Sequence, residues 1–348
     1  MASVDGYLED GRVLVEASEA TDQLQAKGDY GEPGYEGLKL DLHEAAYLVE
    51  EDRLVVRDAD SQALVPVDKL VAEGTGRWED FETQHLVYRE YRSRGFVVHA
   101  REDRFLDGYE RGADPAHASP STLIAPRGEA EPGDPAHLRE IVAEAEALGR
   151  QPLLAVVDEE SDVTYYEIDH AHVTGEVPDA AEDVADEGEA LLLRRRAILR
   201  QDPGLAEAGY GYESGGQRYL SLPEARHLAQ AGLDLHGPEG DALDTEAVDQ
   251  RTQAVNEEDA EPALAAYSWL RASDLVPKTG FKYGVNYRVY DDEPGESHAP
   301  YLVQALSEDE DTWTLRDLSG FVRLTHSVNK QGIVYSPEGG LMVQWTRP

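Results

Sequence analysis

The sequence predicts a mixed fold of the α/β or α+β class, in which a two-domain repeat occurs twice in tandem. Each copy is expected to hold a small N-terminal α/β domain and then a second α/β domain with a central mixed sheet. Three observations predict this arrangement: short runs of alternating apolar residues, stretches with helical apolar spacing, and a pattern that returns after about half of the chain.

The repeat is defined by matched residues at a nearly constant offset. The pattern Leu-x-Leu-x-Glu-Ala-x-x-Leu at residues 40–48 returns at residues 220–228, an offset of 180. Tyr88 returns as Tyr267 at an offset of 179, and the apolar pair 96–97 returns as 275–276 at the same offset. Such regularity over more than 50 residues indicates that the chain contains two copies of one sequence plan.

The repeat divides the chain of 348 residues into four expected domains and a linker. In copy 1 the N-terminal domain is predicted at residues 1–75 and the second domain at residues 76–172. In copy 2 these domains are predicted at residues 191–258 and 259–348. Residues 173–190 are rich in Pro, Gly, Asp, Glu and Ala and have little apolar content, which predicts an acidic linker between the copies.

Within copy 1, apolar alternation predicts strands and helical spacing predicts helices. The predicted strands are Arg12–Val15, Leu38–Leu42, Arg53–Arg57, Pro152–Val157 and Val163–Ile168. The predicted helices are His43–Val49, Asp68–Gly74, Trp78–Val98 and His137–Leu148. Residues 107–135 are rich in Gly, Pro, Asp and Ser, which predicts irregular chain.

Acidic residues outnumber basic ones by 71 to 31, which gives a formal net charge of −40. A disordered acidic chain is poor in apolar residues, whereas 41% of this chain is hydrophobic, so we expect folded domains. We interpret the charge as the salt-adapted surface of a halophile's protein. Residues 276–348 carry seven Lys or Arg and ten Asp or Glu, so the last domain is nearly neutral.

Several classes of protein and site are excluded by composition and motifs. The chain has no cysteine, which excludes disulfides, thiolate nucleophiles and cysteine-ligated metals. We see no phosphate-binding loop, dinucleotide fingerprint, zinc-protease motif or serine-hydrolase motif. Neither a signal peptide nor a membrane span is predicted, so a soluble, cytoplasmic protein is expected.

One stretch, Phe281–Lys330, concentrates side chains that can move a proton or stabilise an anion without a metal. It contains Tyr287-Arg-Val-Tyr290, then His298-Ala-Pro-Tyr-Leu-Val, then Arg323-Leu-Thr-His-Ser-Val-Asn-Lys330. Only six lysines occur in the chain, and three of them lie in the final 73 residues. A lysine in this stretch is therefore informative.

The order and spacing of these three fragments resemble the catalytic domain of tRNA-splicing endonucleases, archaeal ones especially. The resemblance implies a nuclease-like second domain, no cofactor, no metal, and precursor tRNA as the partner. It implies cleavage of a bulge-helix-bulge RNA at both intron boundaries, leaving a 2′,3′-cyclic phosphate and a 5′-hydroxyl. No membrane or DNA partner is expected.

The resemblance also implies the catalytic roles. Tyr290 is expected to be the general base, His298 the general acid, and Lys330 the stabiliser of charge on the phosphoryl group. A free phenol has a pKa of about 10, so a tyrosine base requires a nearby cation such as Lys330. Tyr287 is the competing base and His326 the competing acid, and we expect both to be structural.

The resemblance further implies a homodimer of tandem-repeat chains with two active sites. Two arginines are expected to clamp a bulge base. Arg323 fits one by its spacing to Lys330, and Arg347 is the candidate for the other, although Trp345 is an alternative for part of that role. The loop expected to dock on the partner chain consists of Asp158, Glu159, Glu160 and Asp162, and it is equally consistent with a solvated turn.

Aligning the copies predicts that only copy 2 is catalytic. Ser119 falls opposite His298, Arg111 or Gly112 falls near Tyr290, and Arg150 falls roughly opposite Lys330, so copy 1 is expected to lack the triad. Two alternatives remain open at this point. One is a metal-dependent nuclease, and the other is a non-catalytic RNA-binding or assembly subunit.

Overall fold

A computed structural model describes residues 3–17, 24–26, 28–35, 37–255, 260–294, 298–308 and 312–348. It divides into two compact units. Unit 1 comprises residues 1–131, 141–166 and 346–348, and unit 2 comprises residues 132–140 and 167–345. The fold is a mixed α/β arrangement in both, as the sequence predicts. None of the described helices combines the length and apolar character needed to cross a membrane.

The first half of unit 1 is a five-stranded sheet with two helices. Its strands, in the spatial order β3-β4-β2-β1-β5, are β1 (Val4–Glu9), β2 (Arg12–Glu16), β3 (Glu32–Pro33), β4 (Gly37–Leu40) and β5 (Leu54–Asp58). Helices α1 (Leu42–Glu50) and α2 (Val67–Thr75) contain the predicted helical segments. Helix α1 begins after Asp41, whose carboxylate accepts the Glu44 N–H at 2.8 Å and so satisfies an unpaired donor of the first turn.

The next part of the chain contains α3 (Phe81–Ser93) and neighbouring strands in the order β10-β9-β8-β7-β6. The strands are β6 (Val98–Ala100), β7 (Leu106–Gly108), β8 (Thr122–Gly128), β9 (Gln151–Val157) and β10 (Val163–His170), and β8 runs parallel to β9. Helix α4 (Pro135–Ala147) connects β8 to β9. The prediction of irregular chain over residues 107–135 is wrong for β8, whose Leu123–Ala125 segment is fully buried.

The first half of unit 2 is a six-stranded sheet in the order β13-β14-β12-β11-β15-β16. Its strands are β11 (Glu189–Leu192), β12 (Arg196–Gln201), β13 (Tyr212–Ser214), β14 (Gln217–Ser221), β15 (Asp234–His236) and β16 (Ala242–Leu243). The helices are α5 (Ala181–Val184), α6 (Leu222–Gln230) and α7 (Thr245–Val255). The stretch predicted as a linker thus holds a short helix and the start of β11, because Ala181, Ala185 and Ala190 are small enough to be buried in the core.

The second half of unit 2 contains five neighbouring strands in the order β17-β18-β19-β20-β21, accompanied by two helices. The strands are β17 (Val276–Thr279), β18 (Tyr287–Tyr290), β19 (Tyr301–Ala305), β20 (Gln331–Ser336) and β21 (Gly339–Thr346), and the helices are α8 (Ala260–Arg271) and α9 (Leu315–Ser327). Strand β18 is antiparallel to β17 and β19, whereas β19 and β20 are parallel.

The helices that follow β4 and β14 begin in the same way. Glu44 and Glu224 each close a capping box, with Asp41 and Ser221 as the respective N-cap residues. Each glutamate also accepts a backbone N–H from a preceding glycine, at 2.8 Å for Gly31 and Glu44. The Gly211 N–H donates to Glu224 at 2.9 Å.

An arginine and a tyrosine also stack near each of these helices. The Arg92 guanidinium lies 3.8 Å from the Tyr30 ring centroid in unit 1. The Arg271 guanidinium lies 4.5 Å from the Tyr210 ring centroid in unit 2. Both arginines are almost fully buried, and each also donates to a backbone carbonyl near its tyrosine, Gly28 and Ala208 respectively.

Candidate active site

The three candidate catalytic residues belong to the same end of the β17–β21 sheet. Tyr290 is the last residue of β18, Lys330 immediately precedes β20, and His298 lies three residues before β19. Because Val289 pairs with Tyr301 in antiparallel fashion and Tyr301 pairs with Gln331 in parallel, the end of β18 and the starts of β19 and β20 coincide. The sheet topology therefore brings Tyr290, His298 and Lys330 to one edge.

Tyr290 is nearly buried, with 9% of its surface exposed. It belongs to a small apolar cluster with Val177, Val276 and Ala299. The Arg288 guanidinium carbon lies 5.6 Å from its ring centroid. The phenol is thus held in place by apolar packing on a strand and has a cation beside it.

Lys330 is positioned by the end of α9. Asn329 takes a left-handed conformation with φ of +53°, which asparagine tolerates after a helix, and the Lys330 N–H donates to the Thr325 carbonyl at 2.9 Å. The Lys330 ammonium donates to the carbonyl of Ala299, the residue after His298, and its Nζ lies 6.0 Å from the Tyr283 ring centroid. Burial, followed by the charge of Arg288, lowers the pKa of Lys330 below its ordinary value.

His298 is exposed, so its imidazole is accessible to a large substrate. Its neighbour Ala299 is buried, and the hydrogen bond from Lys330 to the Ala299 carbonyl ties the start of this segment to the start of β20. The imidazole, the ammonium and the phenol at this end of the sheet are groups that can donate a proton, offset negative charge and accept a proton.

The two competing residues have other surroundings. Tyr287 is buried and its hydroxyl donates to the Ala263 carbonyl at 2.7 Å, as expected for a structural tyrosine. His326 is exposed near the end of α9 and lies edge-on to Trp345, with ring centroids 5.5 Å apart. A structural role for His326 therefore rests on an aromatic contact at the surface.

The predicted RNA-clamping and docking residues are all exposed. Arg323 lies on α9 in unit 2, and Arg347 belongs to the chain segment that groups with unit 1. The loop of Asp158, Glu159, Glu160 and Asp162 is an exposed turn between β9 and β10. Its shape is maintained by the Asp158 side chain, which accepts the Glu160 and Asp162 N–H groups at 2.9 Å each.

A cavity of about 730 Å³ lies in unit 2 and is lined in part by residues of β17 and β18. Its lining includes Lys278, Phe281 and Arg288, and Phe281 is 85% exposed. The Lys278 ammonium is fully engaged, because it donates to Glu224 at 2.8 Å, the Gly209 carbonyl at 2.7 Å and the Gly211 carbonyl at 3.1 Å. Arg288 has no role in the sequence prediction, although it stands within the Tyr287–Tyr290 motif.

Strand register identifies the positions in unit 1 that match the candidate residues. In unit 1 the Tyr109 N–H donates to the Val97 carbonyl at 3.1 Å, so Tyr109 lies opposite Val97. In unit 2 Tyr290 lies opposite Val276, the residue that matches Val97 in the sequence pattern. The alignment of Tyr290 near Arg111 or Gly112 is therefore wrong, and Tyr109 is the match. A constant offset gave the wrong match because the loop after β7 is longer than the corresponding loop after β18.

The matching of Lys330 with Arg150 agrees with the register. Thr122 pairs with Gln151 in unit 1 as Tyr301 pairs with Gln331 in unit 2, and Arg150 and Lys330 precede those glutamines. Unit 1 thus has a tyrosine and a cation at the positions of Tyr290 and Lys330, but Ser119 where the sequence alignment places His298. At these positions the two units differ chiefly by the imidazole, rather than by all three groups.

No three His, Asp or Glu side chains come together as possible metal ligands within the described part of the chain.

Comparison with known proteins yields two family models and a set of full-length relatives. The model described as "tRNA intron endonuclease, catalytic C-terminal domain" matches residues 261–345, and "tRNA intron endonuclease, N-terminal domain" matches residues 4–71. The relatives include proteins named "tRNA-splicing endonuclease" from three organisms. The protein from Methanococcoides burtonii is 32% identical over 92% of both chains. Those from Natronomonas pharaonis and Haloferax volcanii are 34% and 32% identical, each over 98% of both chains.

Proposed function

Because the chain belongs to the tRNA-splicing endonuclease family, we propose that it removes introns from precursor tRNA by metal-independent cleavage of the RNA backbone. The observation that carries the proposal is the convergence of Tyr290, His298 and Lys330 at one end of the β17–β21 sheet. Their side chains are a phenol, an imidazole and an ammonium, which together supply a base, an acid and a fixed positive charge.

In the proposed reaction the RNA provides its own nucleophile. Tyr290 removes the proton of the 2′-hydroxyl, and that oxygen forms a bond to the adjacent phosphorus. The bond from phosphorus to the 5′-oxygen breaks as His298 donates a proton to the leaving oxygen. The products are a 2′,3′-cyclic phosphate and a 5′-hydroxyl, with no net change in the number of protons.

Electrostatics support these assignments. Negative charge gathers on the phosphoryl oxygens in the transition state, and the Lys330 ammonium is a preorganised group that can offset it. The Arg288 guanidinium carbon lies 5.6 Å from the Tyr290 ring centroid, so a second positive charge lies near the phenol.

The proposed substrate is a bulge-helix-bulge, in which two bulges flank a short A-form helix. The deep major groove of such a helix is closed to side chains, so recognition by shape is expected. Arg323 and Arg347 are proposed to contact a bulge base, because a guanidinium can stack on a nucleobase.

We also propose that the chain is a tandem repeat that forms a homodimer. The paired capping boxes of Glu44 and Glu224 and the paired stacks of Arg92 on Tyr30 and Arg271 on Tyr210 support the repeat. The ordered acidic turn at residues 158–162 is the proposed docking element. Sedimentation in molar KCl should give a dimer for the wild type and a monomer when the four acidic side chains of this turn become amides. A wild-type monomer would contradict the dimer.

The decisive test is cleavage of a bulge-helix-bulge RNA in molar KCl with excess EDTA, followed by analysis of the new ends. The wild type should cut and leave a cyclic phosphate, and His298→Ala should lose about 10²–10⁴-fold in rate. Ser119→Ala, at the matching position of copy 1, is the control and should cut like the wild type. Loss of cutting in EDTA would favour a metal-dependent nuclease. Binding without any cutting would favour a non-catalytic RNA-binding subunit.

A further inference from the structure

One strand position carries opposite charges in the two units. Asp107 pairs with His99 on one side and Leu123 on the other. Arg288 pairs with Lys278 on one side and Leu302 on the other. The strand pairings given above match Val97 with Val276 and Gln151 with Gln331. In the same strand pairings, Arg288 is the counterpart of Asp107.

In unit 1 the acid at this position neutralises the cation that matches Lys330. An Arg150 guanidinium nitrogen contacts an Asp107 carboxylate oxygen, and both side chains are less than one-fifth exposed. Arg101 approaches the same carboxylate at 3.6 Å. The positive charge of Arg150 is therefore satisfied within the protein and is not available to an anion.

In unit 2 the acid is replaced by a second cation. Within the part of the chain that the structure describes, neither Arg288 nor Lys330 has a carboxylate within ion-pair distance. The Arg288 Nε is buried without a hydrogen-bond partner in the same described residues. Among the residues that the structure describes, the Lys330 ammonium has the Ala299 carbonyl as its one hydrogen-bond acceptor, and the Arg288 charge acts upon it.

Two unneutralised cations side by side are unfavourable unless an anion binds them. In a chain with 71 acidic and 31 basic residues, a carboxylate partner is easily supplied, as Asp107 illustrates. A guanidinium can donate two parallel N–H groups to a phosphate, and it stays ionised beside another cation. The lining of one cavity includes both Arg288 and the exposed Phe281, which provides room for a nucleotide beside Arg288.

We propose that Arg288 is a phosphate-binding residue of the active site, which together with Lys330 holds the RNA phosphate at the end of β18. In copy 1, Asp107 pairs with Arg150 and so prevents the matching site from binding phosphate. This proposal rests on the proposed function and extends it to a fourth residue and to the reason why copy 1 has no phosphate site.

The test uses the full chain with three substitutions at one position. Arg288→Gln removes the charge, Arg288→Lys keeps the charge but not the paired donors, and Arg288→Asp reproduces the ion pair of copy 1. The control is Arg195→Gln, since Arg195 is an exposed arginine outside the site. Binding is measured with a bulge-helix-bulge RNA that carries 2′-deoxyribose at the cleavage positions, and the rate is measured with the all-ribose RNA in single turnover.

Arg288→Gln should lower the cleavage rate by about 10–10²-fold, the size of one hydrogen bond to a charged group, and reduce the slope of log Kd against log salt by about 0.7–0.9. Arg288→Lys should restore the salt slope and only part of the rate. Arg288→Asp should have the lowest rate of the three, because it pairs with Lys330. The control should match the wild type in binding, in salt slope and in cleavage rate.

The proposal is overturned if Arg288→Gln binds and cuts like the wild type with an unchanged salt slope. It is also overturned if Arg288→Lys is as defective as Arg288→Gln and both unfold at lower urea concentration, which would indicate a structural role. Failure of the wild type to cut in EDTA contradicts only the proposed chemistry, because the salt slopes of binding test Arg288 separately.

Discussion

Glu44 of unit 1 and Glu224 of unit 2 have nearly identical hydrogen bonds and opposite electrostatics. Each closes a capping box and accepts a glycine N–H. Burial and then the charge of Asp41 raise the pKa of Glu44 to about 8. Burial also opposes the ionisation of Glu224, but the charge and hydrogen bond of Lys278, together with the N–H groups of Ser221 and Gly211, lower the pKa of Glu224 below its ordinary value.

The difference shows which properties follow from backbone geometry and which follow from single side chains. The helix start is stabilised in the same way in both units, because the capping pattern is local in sequence. The charge of the glutamate depends on a residue more than 50 positions away, since His99 stands in unit 1 where Lys278 stands in unit 2. Arg150 and Lys330 differ in the same way. Arg150 has Asp107 as its partner, whereas unit 2 has Arg288 at the position of Asp107.

The largest expected effect comes from removing Lys278, whose charge lowers the pKa of Glu224. Lys278→Met leaves a buried carboxylate without its charged partner and should lower the free energy of unfolding by about 3–5 kcal/mol. His99→Met is the matched change in unit 1. Its contact with Asp29 is about one-third exposed, so the loss should be about 0–1 kcal/mol. Urea unfolding of both variants in molar KCl makes the comparison, and equal losses would contradict it.

A second pair of variants compares the two sheet ends. Lys330→Met should reduce single-turnover cleavage by about 10²–10³-fold, the usual effect of removing one stabilising group from a developing anion. Arg150→Met should leave cleavage unchanged and instead lower stability, because Asp107 loses its closest partner. If Arg150→Met abolished cleavage, copy 1 would be contributing to the chemistry.

A smaller effect is expected in the dependence of stability on pH. A carboxyl whose pKa is raised on folding binds more protons in the native state, so the native state loses stability as pH rises from the ordinary value of 4.5 to about 8. Glu44→Gln should flatten this decline in urea midpoints. Glu224→Gln should leave the decline in the same pH window unchanged, since the pKa of Glu224 is lowered.

The smallest expected effect tests the choice between two tyrosines. Tyr287→Phe removes the hydrogen bond to Ala263 and should cost about 0.5–1.5 kcal/mol of stability with no change in cleavage rate. Tyr290→Phe should have the reverse outcome, with loss of cleavage and little change in urea midpoint. A rate loss in Tyr287→Phe alone would transfer the base assignment to that residue.

Local patterns predicted much of the secondary structure. Helices α1 and α2 contain the predicted segments, and β9 and β10 extend the predicted strands by one or two residues. Strand β8 was missed because Pro126 and the surrounding Gly and Asp residues are typical of loops. The structure tolerates the proline because β7 pairs with β8 only as far as Ile124, so no neighbour on that side needs an N–H from Pro126.

Sequence by itself determined the mixed α/β class, the capping boxes and the order of Tyr290, His298 and Lys330, because these depend on spacing along one chain. Only the tertiary structure decided that Tyr109 matches Tyr290, that Asp107 neutralises Arg150, and that Arg288 and Lys330 have no acidic ion-pair partner among the described residues. These facts depend on strand register, which brings together residues 12 to 43 positions apart along the chain. A shift of one residue in register would place each of these side chains on the opposite face of the sheet.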